Sequence, residues 1–254
     1  MLIARRSLLG LAAAVACPLC SRVLAADTAP HWGYEGAAGP YHWSDLSADF
    51  RACALGTQQS PIDLIGAIKA DPGPLVIDYQ KMPLRVWNNG HTIQVNTPPG
   101  SKLRTGSVSY DLRQFHFHHP SEHLLAGKRF DMECHFVNQA ADGSLAVIGV
   151  FIKPGAANAS LAPIWQAMPS EEGSDKAVAG VTIDTIGLLP KHRSYLRYMG
   201  SLTSPPCSET VTWSVFRTPV EASPEQIRRF AALFPMNARP LQQEDRRFVL
   251  QAGG

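Results

Sequence analysis

Between Gln114 and His123 the chain reads QFHFHHPSEH, a density of histidine beside apolar residues that ordinary surface sequence does not show. Side chains two apart on an extended strand share a face. His116 and His118 therefore project together, and Phe115 and Phe117 project the other way. Two imidazoles so placed can grip one zinc ion at the ordinary zinc–nitrogen distance. The pair alone is a weak signal, because a polar cleft wall of hydrogen-bonded histidines has the same pattern. A third ligand must come from another element. The stretch DMECHFV (131–137) offers Glu133 and His135 on one face and Cys134 on the other. If the two strands fold back symmetrically about Ala126–Gly127, His118 stands opposite His135 and the two share a face. His116, His118 and His135 then form a triangle of neutral ligands. Such a set leaves an ion its full charge and a fourth position open to water. Gln114 and Glu133 each lie two residues before a ligand, where each can accept the imidazole's other N–H.

Holding three histidines this way takes paired strands, and strand signals recur along the chain. The stretches 75–79, 84–87, 91–96, 114–118, 131–137, 144–152 and 211–216 mostly alternate or are β-branched, bounded by Gly, Pro or Asn. SLAVIGVFI (144–152) is apolar nearly throughout, the pattern of a central strand covered on both faces. Helical sequence is sparse. PIWQAM (163–168) is a short candidate with proline in its first turn. SPEQIRRFAAL (223–233) is the better one, with Ser223 as N-cap, Pro224 next, and Ile227, Phe230 and Ala231 on one face. The class is mostly β (α+β). No repeat, low-complexity tract or linker divides residues 27–254, which are enough for one large core.

Net charge is only +2 and the Lys and Arg residues are scattered, which excludes nucleic acid as a partner. Residues 1–26 read as an export signal and not as part of the fold. Arg5 and Arg6 precede an apolar run from Leu8 to about Leu19, too short for a membrane span, and small residues follow at Ala25–Ala26. The Arg5-Arg6-Ser7-Leu8-Leu9 start resembles a twin-arginine signal; an ordinary secretory signal is the alternative. Ala14-Val15-Ala16-Cys17 also offers a lipoprotein-type cleavage site. Export places the protein in the periplasm, or outside the cell. Cys53, Cys134 and Cys207 remain after cleavage, and an oxidising compartment favours one pair. Cys134 sits within a strand, while Cys53 and Cys207 lie in loop-like sequence, so Cys53 pairs with Cys207; three reduced thiols are the alternative. The loop so closed is long, and the chain-entropy model gives such a bridge about 4–5 kcal/mol.

With these residues in hand, the chain resembles the α-class carbonic anhydrases of bacterial secreted type over nearly all of its mature length. The matching segments run HWGYEG (31–36), QQSPIDL (58–64), NNGHTIQV (88–95), QFHFHHPSEH (114–123), MECHFV (132–137), LAVIGVFIK (145–153), YMGSLTSPPCSETVTW (198–213) and NARPLQ (237–242). The resemblance implies a large, mainly antiparallel twisted sheet with peripheral helices and zinc at the base of a conical cleft. It implies reversible hydration of carbon dioxide to bicarbonate and a proton, with hydroxide on the zinc attacking the carbon. His116, His118 and His135 match the zinc ligands. Glu122 and Thr203 match the pair that orients the hydroxide, and His91 matches the proton shuttle. Val137, Val147, Leu202, Val211 and Trp213 match the apolar wall for the substrate. Tyr34, Asn89 and Gln94 match the residues that hold water between zinc and shuttle. Cys53 and Cys207 match the family disulfide. The resemblance further implies sensitivity to sulfonamides and anions, a weak esterase side activity, and a monomer or homodimer.

Departures from the pattern are mild. Ser204 stands where many relatives carry a second threonine, and Cys134 where an aliphatic residue is usual. Two rivals are a non-catalytic relative used as a binding module and a zinc-scavenging protein. The first would be expected to have lost a ligand histidine. The second needs neither Glu122 and Thr203 nor an apolar wall, and usually carries a long His-rich loop that this chain lacks.

Overall fold

The recurring strand signals are realised in the computed structural model, which describes residues 30–252, as a twelve-stranded sheet. The leader assigned to residues 1–26 lies outside the described residues. From one edge the sheet runs through strands Asp175–Ile183, Met82–Asn88, Ile93–Asn96, Val108–His118, Met132–Ala140, Leu145–Pro154, Val211–Ala222, Tyr195–Gly200, Leu250–Ala252 and Ile68–Lys69. Strand Lys102–Thr105 also pairs with Val108–His118 and carries Leu75–Asp78 on its other side. Neighbours are antiparallel except at two places: Leu145–Pro154 beside Val211–Ala222, and Leu250–Ala252 beside Ile68–Lys69. A separate parallel pair joins Asp63–Leu64 to Leu124–Leu125.

Burial follows the sequence pattern. Met82, Leu84 and Val86 are buried while Pro83 and Arg85 between them are exposed, the alternation of a half-covered strand. The apolar run of Leu145–Pro154 is buried from Ala146 through Ile152, as a central strand requires. On Val108–His118, Phe115 and Phe117 enter the main apolar cluster. Phe115 stacks on Phe136, and Phe117 meets Trp165 edge-on with centroids 4.7 Å apart. Two helices close that face, Ala162–Ala167 and Pro224–Ala231. Ser223 caps the second: its Oγ accepts the Gln226 backbone N–H while the Gln226 side chain accepts the Ser223 N–H. Ile227 and Phe230 are the buried face of that helix, and Phe230 stacks on Trp165.

The ligand strands pair in a register that differs from the symmetric hairpin. His116, not His118, stands opposite His135, and His118 stands opposite Glu133. The turn is where the sequence places it, at Ala126 and Gly127, both in the left-handed region, with Leu125 bridged to Lys128. The arms are unequal: residues 119–124 on one side face residues 129–132 on the other. The longer arm takes up its excess in the His119–Pro120 and Ser121–His123 segment. An excess of two keeps the side-chain face, so His116, His118 and His135 still point the same way.

Cys53 and Cys207 form the disulfide, with Cα atoms 5.0 Å apart, and Cys134 is a buried free thiol. Cys53 sits in a short helix, Ala52–Leu55, and not in the loop its sequence suggests. Strands Lys102–Thr105, Asp175–Ile183 and Tyr195–Gly200 carry no clear sequence signal, because lysine, arginine and glycine interrupt their alternation.

Candidate metal centre

Three imidazoles converge on the face opposite Phe115 and Phe117. His116, His118 and His135 each offer a ring nitrogen, and these three atoms lie within 4.8 Å of one another. Each ring is set against a different acceptor. Gln114 Oε1 is 2.8 Å from His116 Nδ1 and the Asn237 carbonyl 2.7 Å from His118 Nδ1; Glu133 Oε1 lies 3.0 Å from His135 Nε2, an ion-pair contact without hydrogen-bond geometry. The nitrogens left over are Nε2 of His116, Nε2 of His118 and Nδ1 of His135. His118 Nε2 is buried and makes no hydrogen bond. A buried, orphaned lone pair aimed at two others is a polar cost unless something coordinates it. Three neutral nitrogen donors with an open fourth side fit a zinc ion.

Electrostatics keep two of the rings in the ligating form. Burial pushes the His116 pKa well below its ordinary value, and repulsion from His118 and His135 adds to the effect. Burial likewise lowers His118. Burial pulls His135 down too, but Glu133 and then Glu122 outweigh it and leave its pKa raised. Burial alone would raise Glu133; His123 and His135 instead hold its carboxyl well below the usual range.

Glu133 does more than hold one ligand. Its Oε2 accepts the backbone N–H groups of Glu122 and His123, and its Oε1 lies 2.8 Å from His123 Nδ1. His123 Nε2 reaches the Tyr198 hydroxyl at 2.6 Å, and Tyr198 donates to Ser60 Oγ. His123 is thus a buried brace behind the centre. His119 is hydrogen-bonded in its loop, its N–H donated to Asn237 Oδ1 and its Nδ1 2.9 Å from the Pro235 carbonyl.

Glu122 is fully buried. Its Oε1 accepts the Arg239 backbone N–H, and its Oε2 has no hydrogen bond and lies 3.5 Å from His118 Nε2 and 3.8 Å from His135 Nδ1. Thr203 is buried as well, but no hydrogen bond joins it to Glu122 among the described residues. The five apolar residues do come together. Val147, Val211 and Trp213 share one buried cluster, with Val137 and Leu202 packed against it. Trp213 lies 4.8 Å from the His135 ring, so that wall adjoins the centre.

Farther out, Asn89 Oδ1 accepts the N–H groups of His91 and Thr92, and Asn89 Nδ2 reaches Gln94 Oε1 at 3.4 Å. Gln94 donates to Asn96. The His91 ring stacks on Trp32, with centroids 3.6 Å apart and planes 8° from parallel. Tyr34 meets Trp32 and Trp43 edge-on, and burial raises its pKa.

Asn237 and Arg239 escaped the sequence reading as functional residues. Asn237 holds His118 through its carbonyl and donates its side-chain N–H to the carbonyls of His91 and Phe117. Arg239 is buried, donates to Gln59, Ser60 and Cys53, and has its pKa lowered by burial to about 10. The only signal was their shared segment NARPLQ; a backbone carbonyl carries no residue type to read.

Fold and site together define a cluster of three histidines that could hold one metal ion, set on a large mixed sheet beside an apolar wall. The sequence profile of the eukaryotic-type carbonic anhydrases matches residues 38–252. A carbonic anhydrase of Nostoc sp. is 47% identical over 87% of this chain and 86% of its own length. One from Pectobacterium carotovorum is 43% identical over 91% of this chain and 95% of its own. The α-carbonic anhydrase of Thermovibrio ammonificans, solved in complex with the inhibitor sulfanilamide, superposes with a TM-score of 0.85 at 43% identity, covering 87% of this chain and 99% of that one. The chain belongs to the α-class carbonic anhydrase family, whose members catalyse reversible hydration of carbon dioxide. No helix among the described residues is long and apolar enough to cross a membrane.

Proposed function

We propose that this chain hydrates carbon dioxide to bicarbonate and a proton at a zinc ion held by His116, His118 and His135. The observation that carries the reading is the convergence of three ring nitrogens within 4.8 Å, two of the rings hydrogen-bonded from behind and the third set against the Glu133 carboxylate. When bound, the ion would supply a Lewis-acidic centre that makes water acidic near neutral pH, as is general for carbonic anhydrases.

The protein's own residues do the rest. Gln114, the Asn237 carbonyl and Glu133 fix the tautomer and tilt of the rings. Glu122, with its free oxygen facing the ligand triangle, accepts a hydrogen bond from the Thr203 hydroxyl and so leaves the Thr203 oxygen as an acceptor toward the reacting water. Val137, Val147, Leu202, Val211 and Trp213 hold the apolar substrate and exclude competing water. Asn89, Gln94 and Tyr34 order water between the centre and His91. His91 accepts the released proton and passes it to buffer, a task suited to a half-buried imidazole lining an open cavity.

Sulfonamides and anions are the expected inhibitors, and ester hydrolysis is a weak side activity. Residues 1–26 direct export to the periplasm, where the Cys53–Cys207 bridge is stable. The protein acts as a monomer or homodimer. Stopped-flow hydration on the mature protein, with metal analysis before and after chelation, tests the reading. Activity that tracks about one zinc per chain supports it; a folded, zinc-loaded sample without hydration overturns it.

A further inference from the structure

A segment the catalytic reading leaves unused ends beside His91. Residues 169–174 dock onto the Asn88–His91 turn through three hydrogen bonds, and a fourth braces the turn itself. The Asn88 N–H donates to the Ser174 carbonyl, the Gly173 N–H to the Asn88 carbonyl, Asn88 Nδ2 to the Pro169 carbonyl, and the Gly90 N–H to Asn88 Oδ1. This docking places the Glu172 carboxylate in the space that a side chain at Gly90 would fill. Gly90 is also in the left-handed region at φ +85°, so a glycine is required there twice over. Glu172 and His91 line one cavity of about 400 Å³, together with His31, Tyr34 and Glu35 as its other titratable groups. Among the described residues no ion pair or hydrogen bond occupies Glu172.

We propose that Glu172 is a positioning residue for proton transfer, the counter-charge that stabilises the protonated His91 ring while it holds the proton being exported. This rests on the shuttle assignment of His91. Four influences meet on that ring. Burial disfavours the imidazolium most, and His31, whose ring lies 6.3 Å away, repels it. Glu172 opposes both, and the face of Trp32 against which the ring lies attracts a cation. A shuttle must be basic enough to take the proton and acidic enough to release it to buffer, so its best basicity lies near that of its donor. Burial and His31 move His91 away from that match, and Glu172 moves it back.

The test is Glu172→Gln, which keeps shape and removes charge, read by NMR titration of the His91 ring and by stopped-flow hydration. The His91 midpoint should fall by about half a pH unit, as expected for loss of one partly solvated charge lining the same cavity. In weak buffer kcat should fall about two- to threefold while kcat/KM stays constant, because only proton export is slowed. Imidazole buffer should restore kcat, Glu172→Asp should retain it, and high salt should shrink the difference between wild type and Glu172→Gln. Glu171→Gln, next in sequence but not lining the cavity, controls for loop disturbance and should change nothing. An unmoved His91 midpoint in Glu172→Gln overturns the proposal. His91→Ala separates the two levels. If it leaves kcat in weak buffer intact, the shuttle reading itself falls; if it lowers kcat while Glu172→Gln does not, only the role of Glu172 falls.

Discussion

Strand Val108–His118 is covered on both faces, with opposite chemistry. Phe115 and Phe117 lie in an apolar cluster closed by two helices. His116 and His118 face a polar network in which each ring has one engaged nitrogen and one nitrogen kept back. The apolar face works by area, is non-directional, and gives up stability in proportion to what is removed. The polar face works by partners, and losing one leaves another group buried and unsatisfied. Stability should therefore be concentrated on one side of this strand and activity on the other, although the side chains concerned are adjacent in sequence.

The largest effect expected is His118→Ala, which should take zinc content and hydration to background while the far-ultraviolet circular dichroism stays native. Next is Phe115→Ala, which should cost about 3–5 kcal/mol in denaturant unfolding by leaving a cavity. The fraction still folded should keep its kcat/KM, and a comparable loss of kcat/KM would merge the two faces and defeat the comparison. Glu133→Gln lies between the two, because it braces His135 and also accepts two backbone N–H groups. It should weaken zinc binding about 10–100-fold in a chelator competition, with some loss of stability as well. The smallest effect belongs to pH at the rim. Burial, and then His31, lower the His91 pKa, so the folded chain binds this proton less well than the unfolded one. The stability contributed by the neutral ring is complete above about pH 6.5 and is lost as pH falls through the lowered value. His91→Ala should flatten the acid-side decline of Tm by a small increment, measured by calorimetry between pH 5 and 8.

Much of this polarity was legible beforehand. Alternation alone separates His116 and His118 from the two phenylalanines, and Ser223 with Pro224 announces the helix that backs them. The third candidate ligand, His135, was also visible, but its opposite number was not. A symmetric hairpin is the simplest assumption, and the unequal arms around Ala126–Gly127 accompany a tertiary contact, the His119 N–H donated to Asn237 Oδ1. Asn237 was invisible for a different reason: its contribution to His118 is a backbone oxygen supplied from 119 residues away. Glu122 and Thr203 are both buried where the family pattern puts them, yet the bond between them is not formed, so their cooperation is a matter for the loaded enzyme.

The unequal arms have an implication for how this protein tolerates change in length. What matters at the tip is parity, not size. Adding residues in pairs at the Ala126–Gly127 tip, clear of Glu122 and His123, leaves every candidate ligand on its own side of the sheet, whereas one residue more must be absorbed by a bulge or it exchanges the roles of histidine and phenylalanine. The loop thus acts as an even-numbered spacer, and laboratory libraries that vary it should recover active members at alternate lengths.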